Sequence, residues 1–207
     1  MKPFTVHTGI AAALMRDNID TDAIIPSREM KTVGKTGLAV GLFANWRYLD
    51  VDARLPDPAF VLNKPAQAGT SVLLAGQNFG CGSSREHAVW ALEEWGIKVI
   101  VASSFGTIFF DNCVRNGLLP VLLPAEQIQA LQAELAADPQ QRPLTFDLLA
   151  RELRSAGGSV HPITLNEEQR QMLLTGMDPI VQTLQSLAQI EAFEAIDQKR
   201  YTWLYLW

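Results

Sequence analysis

Apolar residues fall in short dense blocks through the middle of this chain. "SVLLAG" (Ser71 to Gly76), "KVIVAS" (Lys98 to Ser103) and "LLPVLL" (Leu118 to Leu123) lack polar alternation and read as strands buried on both faces. Between them lie "SREHAVWALEEWG" and "GTIFFDNCVRNG", of helical length and each closed by glycine; in the first, Ala88, Val89, Leu92 and Trp95 recur at helical spacing. Such alternation predicts parallel β-α units with helices covering a sheet. "PAEQIQALQAELAA" adds a helix whose apolar stripe is Ile128, Leu131 and Leu135. Upstream, Phe4 to Leu14 reads as a strand, Arg16 to Ser27 as a polar loop, and Gly37 to Trp46 as a short helix.

Beyond about residue 146 the texture changes. Two extended runs flank "SAGGS", the composition of a hairpin turn, and two helices follow. The first opens on Asn166 as N-cap and closes at Gly176; the second has Asp178 as cap and Pro179 at its first position. The final "YTWLYLW" is an aromatic tail expected to pack in the chain's own core, the alternative being a partner surface.

Composition narrows the partners. The chain has 207 residues and a net charge of -5 without a Lys/Arg run, which argues against nucleic acid or an anionic membrane surface. Asp17, Asp20 and Asp22 follow the N-terminal apolar run with no stop-transfer stretch or clean cleavage site, so a cytoplasmic location is expected. Two cysteines, Cys81 and Cys113, are too few for a disulfide framework or an iron-sulfur cluster, so no metal site is expected in this chain.

The chemistry concentrates in "NFGCGSSREH", between a strand and a helix. Gly80 and Gly82 permit positive φ, so successive N–H groups can converge on an anion, and the helix N-terminus adds partial positive charge. Arg85 offers a fork matched to a carboxylate. The Walker lysine and the GxGxxG spacing are missing, which favours a carboxylate ligand over a nucleotide. Ser83 and Glu86 also have the spacing of a capping box, a purely structural reading that explains the serine and the glutamate but not the crowding of glycines, serines and arginine. His7, His87 and His161 offer no recognisable triad partner for a serine, and the G-x-S-x-G elbow is missing.

"DNIDTDAIIP", "NFGCGSSREHAVWAL", "SFGTIFFDNCVRNGLLPV" and "GMDPIVQTL", in that order, resemble the small-subunit family of 3-isopropylmalate dehydratases, related to the swivelling domain of aconitases. The likeness runs from about Phe4 to about Glu194. It implies an α/β fold, an aconitase swivel-like β/β/α domain with parallel β-α units plus a C-terminal β-hairpin and helices. One swivel-type domain would span 1–207, with its core at about 1–145 and the extension at about 146–207. The implied activity interconverts 2-isopropylmalate and 3-isopropylmalate by dehydration and rehydration, in leucine biosynthesis. This chain would bind no cofactor; a [4Fe-4S] cluster would sit in a large-subunit partner.

By the same resemblance Ser83 is the catalytic base, and Gly82, Ser84 and Arg85 hold the substrate carboxylate. Asp20, Thr21 and Asp22 shape the site. The loop after them, with Arg28, Met30 and Lys31, faces the substrate side chain. Glu29 stands where the family usually places an aromatic, so either Glu29 points to solvent or the substrate differs, with Arg28 and Lys31 meeting an extra carboxylate of a homoaconitate-type or methylcitrate-type acid. A hydro-lyase for a citraconate-type or dimethylmalate-type acid and a non-catalytic dicarboxylate-binding module also fit these residues.

Overall fold

Residues Thr70–Ala75 alternate between two interiors. Val72 and Leu74 enter one apolar cluster and Leu73 and Ala75 the other, all fully buried, so this strand needs cover on both faces. A computed structural model of the chain, describing residues 1–30, 34–136, 138–177 and 179–205, shows how that cover is built.

In chain order the elements are β1 (Val6–Leu14), α1 (Thr21–Ile24), α2 (Ala44–Arg47), β2 (Tyr48–Asp50), β3 (Leu55–Pro56), β4 (Thr70–Ala75), α3 (Glu86–Trp95), β5 (Val99–Ala102), α4 (Thr107–Asn116), β6 (Leu119–Leu122), α5 (Ala125–Leu135), β7 (Leu144–Asp147), β8 (Glu152–Arg154), β9 (Val160–Pro162), α6 (Glu167–Thr175), α7 (Pro179–Leu184) and α8 (Leu187–Arg200). The main sheet runs β6-β5-β4-β1-β7-β8-β9. Strands β1, β4, β5 and β6 are parallel; β7, β8 and β9 join antiparallel.

Strand β1 joins the two halves. Val6 to Gly9 pair antiparallel with β7, the register shifts between Ile10 and Ala11, and Ala11 to Leu14 pair parallel with β4. Helix α3 covers one face through Ala88, Val89, Ala91 and Leu92; α5 and α6 cover the other through Ile128, Leu131, Leu135, Met172 and Leu173. The α/β class, the parallel units and the hairpin around "SAGGS" are as the sequence predicts. Asn166 caps α6 in a full capping box with Gln169, and Gly176 closes it at φ 69°. Asp178 lies outside the described residues.

Three expectations fail. The second of the two helices expected after the hairpin is broken at 185–186 into α7 and α8. Over 37–46 there is no single helix: a 3-10 turn at Ala39–Gly41 is followed by Phe43 at φ 49°, and α2 starts only after it. The buried Phe43 ring stacks on Trp46 at 5.8 Å, so core packing overrides helical spacing. The aromatic tail does not enter the core, because Trp203 remains 66% exposed. Residues 206 and 207 lie outside the described residues.

Candidate active site

The three loops that leave the C-terminal ends of β1, β4 and β5 meet at one edge of the parallel sheet, where open α/β folds place ligands. The turn 80–85 lies between the other two. Gly80 donates its N–H to Ile19 O at 2.7 Å, and Thr21 donates to Cys81 O at 3.0 Å. On the far side Gly106 donates to Phe79 O at 2.9 Å. Gly80 has φ 72°, and a Cβ there would lie 2.1 Å from the Phe109 ring, so the tight packing of the turn on α4 requires glycine.

The result is an open cavity of about 280 Å³ lined by 80–85, Thr21 and the first residues of α4. Helices α3 and α4 both present their N-termini to it, neither with a side-chain cap. Each end carries unsatisfied N–H groups and about half a positive charge, so the site attracts anions from two directions. Thr107 and Ile108 also line the cavity, which the sequence pattern did not predict; the available signal was Gly106 at the mouth of a second β-α turn on the same sheet edge.

Ser83 and Ser84 are exposed there, and their hydroxyls bond to no other described residue. The capping box expected from Ser83 and Glu86 does not form. Arg85 is the N-cap residue, so the helix starts after both serines, and Glu86 Oε1 instead accepts from Asn116 Nδ2 at 2.8 Å. Asn116, buried at the end of α4, also accepts from Trp90 Nε1 at 3.0 Å and Lys35 Nζ at 3.1 Å. This hub has no local sequence signature, since its members are distant in the chain.

The Asp-Thr-Asp motif divides three tasks among its residues. Asp20 caps α1, accepting from the Ala23 N–H at 2.7 Å. Thr21 Oγ1 donates to Ser83 O at 2.9 Å and so holds the backbone of the serine turn. Asp22 forms an ion pair with Arg85 at the cavity mouth. Gly82, Ser83, Ser84, Arg85 and Thr21 are thus brought together, with Asp20 and Asp22 beside them.

The expected side-chain loop is built elsewhere. Neither Arg28 nor Met30 lines this cavity: Met30 packs against the apolar cluster under α3, and Arg28 bonds to Asn45 Oδ1. Lys31 lies outside the described residues. Glu29 does not point to solvent; its side chain is 7% exposed and meets Arg54 Nη2 at 2.6 Å, with Arg28 Nε at 3.7 Å. The segment after the loop is pinned by Glu94, whose carboxylate accepts the N–H groups of Gly37, Leu38 and Ala39 at 2.6 to 2.8 Å. Desolvation alone would raise the Glu94 pKa, but these three bonds hold it below the ordinary carboxylate value.

Residues 1–126 match the aconitase C-terminal domain family. The chain is 60% identical to the 3-isopropylmalate dehydratase small subunit of Cupriavidus necator, over 99% of each chain. It belongs to the family of 3-isopropylmalate dehydratase small subunits. It is also 46% identical to the small subunit of Delftia acidovorans, over 99% of this chain and 97% of that one. The crystal structure of a 3-isopropylmalate dehydratase from Methanocaldococcus jannaschii superposes with a TM-score of 0.61 at 27% identity, covering 90% of this chain and 99% of that one.

Within this small-subunit fold, no group of three His, Cys, Asp or Glu among the described residues could hold a metal ion. Cys113 is fully buried in the core, and burial pushes its thiol pKa well up, the reverse of what a thiolate ligand needs. Cys81 is partly buried in the turn, and His87 packs its ring on Trp90 at 4.8 Å. With Cys81 and Cys113 its two cysteines, placed apart in a turn and in the core, the described part of the chain has no thiolate set that fits an iron-sulfur cluster. No described helix is long and apolar enough to cross a membrane.

Proposed function

We propose that this chain is the small subunit of a 3-isopropylmalate dehydratase, a hydro-lyase that interconverts 2-isopropylmalate and 3-isopropylmalate with a cluster-bearing large subunit. The observation that carries the site assignment is the free Ser83 hydroxyl, placed beside Arg85 and between two uncapped helix N-termini. Ser83, acting as its alkoxide, takes the proton from the carbon next to the substrate carboxylate and becomes the hydroxyl. Arg85, with Ser84 and the Gly82 N–H, holds that carboxylate and stabilises the negative charge that spreads onto it as the proton leaves.

A serine hydroxyl is a poor base at neutral pH, so its alkoxide must be stabilised where it forms. The two helix ends supply fixed positive potential, which strengthens once the open cavity is covered and water leaves. Asp22 keeps Arg85 aimed at the cavity mouth and balances its charge until the dianionic substrate arrives.

The buried Glu29–Arg54 pair supports the branched apolar substrate over an acid with an additional carboxylate. Glu29 directs its charge to Arg54, and Arg28, one of the two cations considered for an extra carboxylate, is already engaged by Asn45 and Glu29. The protein acts in leucine biosynthesis, in the cytoplasm. The test is reconstitution with the large subunit. Ser83→Ala lowers isopropylmalate turnover by about 10³-fold while association with that subunit is retained; normal rates in the variant would place the base elsewhere.

A further inference from the structure

The C-terminal arm carries apolar surface that the body of the protein leaves bare. Ile180, Leu184, Leu187, Phe193, Ile196 and Trp203 are 45 to 73% exposed, and no residue of α8 is buried. The principal neighbour of α8 is the turn Thr202–Leu204 that follows it, not the sheet or its helices. By side-chain size these six residues expose on the order of 800 Å², about what one partner contributes to a stable interface.

The pattern on α8 says what kind of surface would cover it. At 100° per residue Phe193 and Ile196 lie about 60° apart on one side of the helix and Leu187 at least about 120° from either, so the apolar surface wraps about half the circumference instead of forming one narrow stripe for pairing with an identical helix. A helix that is apolar on several sides needs a groove that surrounds it. Glu191 and Glu194 form no ion pair with a described residue, and a second copy of α8 laid parallel would set them against their own counterparts, because the cations Lys199 and Arg200 are gathered in the last turn. A basic rim would not repel them. The match to the aconitase C-terminal domain ends at residue 126, whereas alignment with the Cupriavidus necator small subunit spans 205 residues and so includes the arm.

We propose that α7, α8 and the turn after them form an arm that docks this chain in an apolar, basic-rimmed groove of the large subunit, a proposal that rests on the heteromeric reading above. The test uses the full chain and the purified cluster-bearing large subunit, with association measured by calorimetry. Phe193→Glu with Ile196→Glu lowers affinity about 100-fold, because central apolar anchors dominate interfaces. The melting temperature of the free chain stays unchanged, and Leu149→Glu, an exposed apolar position on the body, leaves affinity as it was. Undiminished affinity in the double variant overturns the proposal. So does a variant that loses only self-association, which would make the arm a contact between copies. If the unmodified chain fails to bind the large subunit at all, the heteromeric reading itself is wrong, and the proposal falls with it.

Discussion

The turn 80–85 and the stretches 27–30 and 34–39 are held in opposite ways. Backbone hydrogen bonds and a buried aromatic wall hold the first, leaving the hydroxyls of Ser83 and Ser84 unengaged. Side-chain charges hold the second: Glu29 on Arg54, Lys35 on Asn116, and Glu94 on three backbone N–H groups. A turn fixed by its backbone can place reactive side chains without tying them up. A loop fixed by ion pairs can be altered residue by residue without disturbing the serine turn.

Variants at the two regions should therefore separate activity from stability. The largest effect expected is on turnover: Ser83→Ala in the reconstituted enzyme lowers kcat by about 10³-fold, within the range for loss of a positioned base. Next is Gly80→Ala, which combines an unfavourable positive φ with a Cβ driven into the Phe109 ring. Urea unfolding should show a loss of about 3 kcal/mol. A fold that tolerates this alanine would mean that the turn is looser than its contacts imply.

Arg54→Met leaves the Glu29 carboxylate inside without its partner. Because Arg54 is itself a third exposed, the expected cost is about 2 kcal/mol, less than for a fully buried pair. Turnover by the reconstituted enzyme should change little, because Glu29 and Arg54 lie outside the lining of the serine cavity.

The Glu94 contribution depends on pH in a defined direction. Its folded pKa is depressed, so its contribution is complete above the unfolded value of about 4.3 and is lost as pH falls through the lower folded value. Glu94→Gln should flatten the acid limb of stability measured between about pH 5 and pH 2. The smallest effect is again at Ser83. The Ala variant should unfold within about 0.5 kcal/mol of the unmodified chain, whereas a Ser83–Glu86 capping box would make it about 1 kcal/mol less stable.

Local pattern made much of the molecule legible. The apolar blocks at β4, β5 and β6, the stripes on α3 and α5, and the Asn166 cap are each encoded within a few residues, and the fold contains them. The glycine-serine turn was legible as a site because its residue types have few other uses together. The failures were non-local. Glu86 was drawn away from its own helix turn by Asn116, thirty positions later. Phe43 was taken into the core against the helical spacing around it, and the aromatic tail was left outside the core that its composition suggested.

The sequence by itself determined the parallel β-α units, the anion-seeking turn and the family to which the chain belongs, because strand period, helix period and turn chemistry act over one or two turns of chain. Only the tertiary structure decided that Glu29 is buried against Arg54, that Asp22 holds Arg85, and that a second helix end faces the same cavity. Those contacts join residues up to 63 positions apart, and charge pairing depends on distance through space, which no local pattern records.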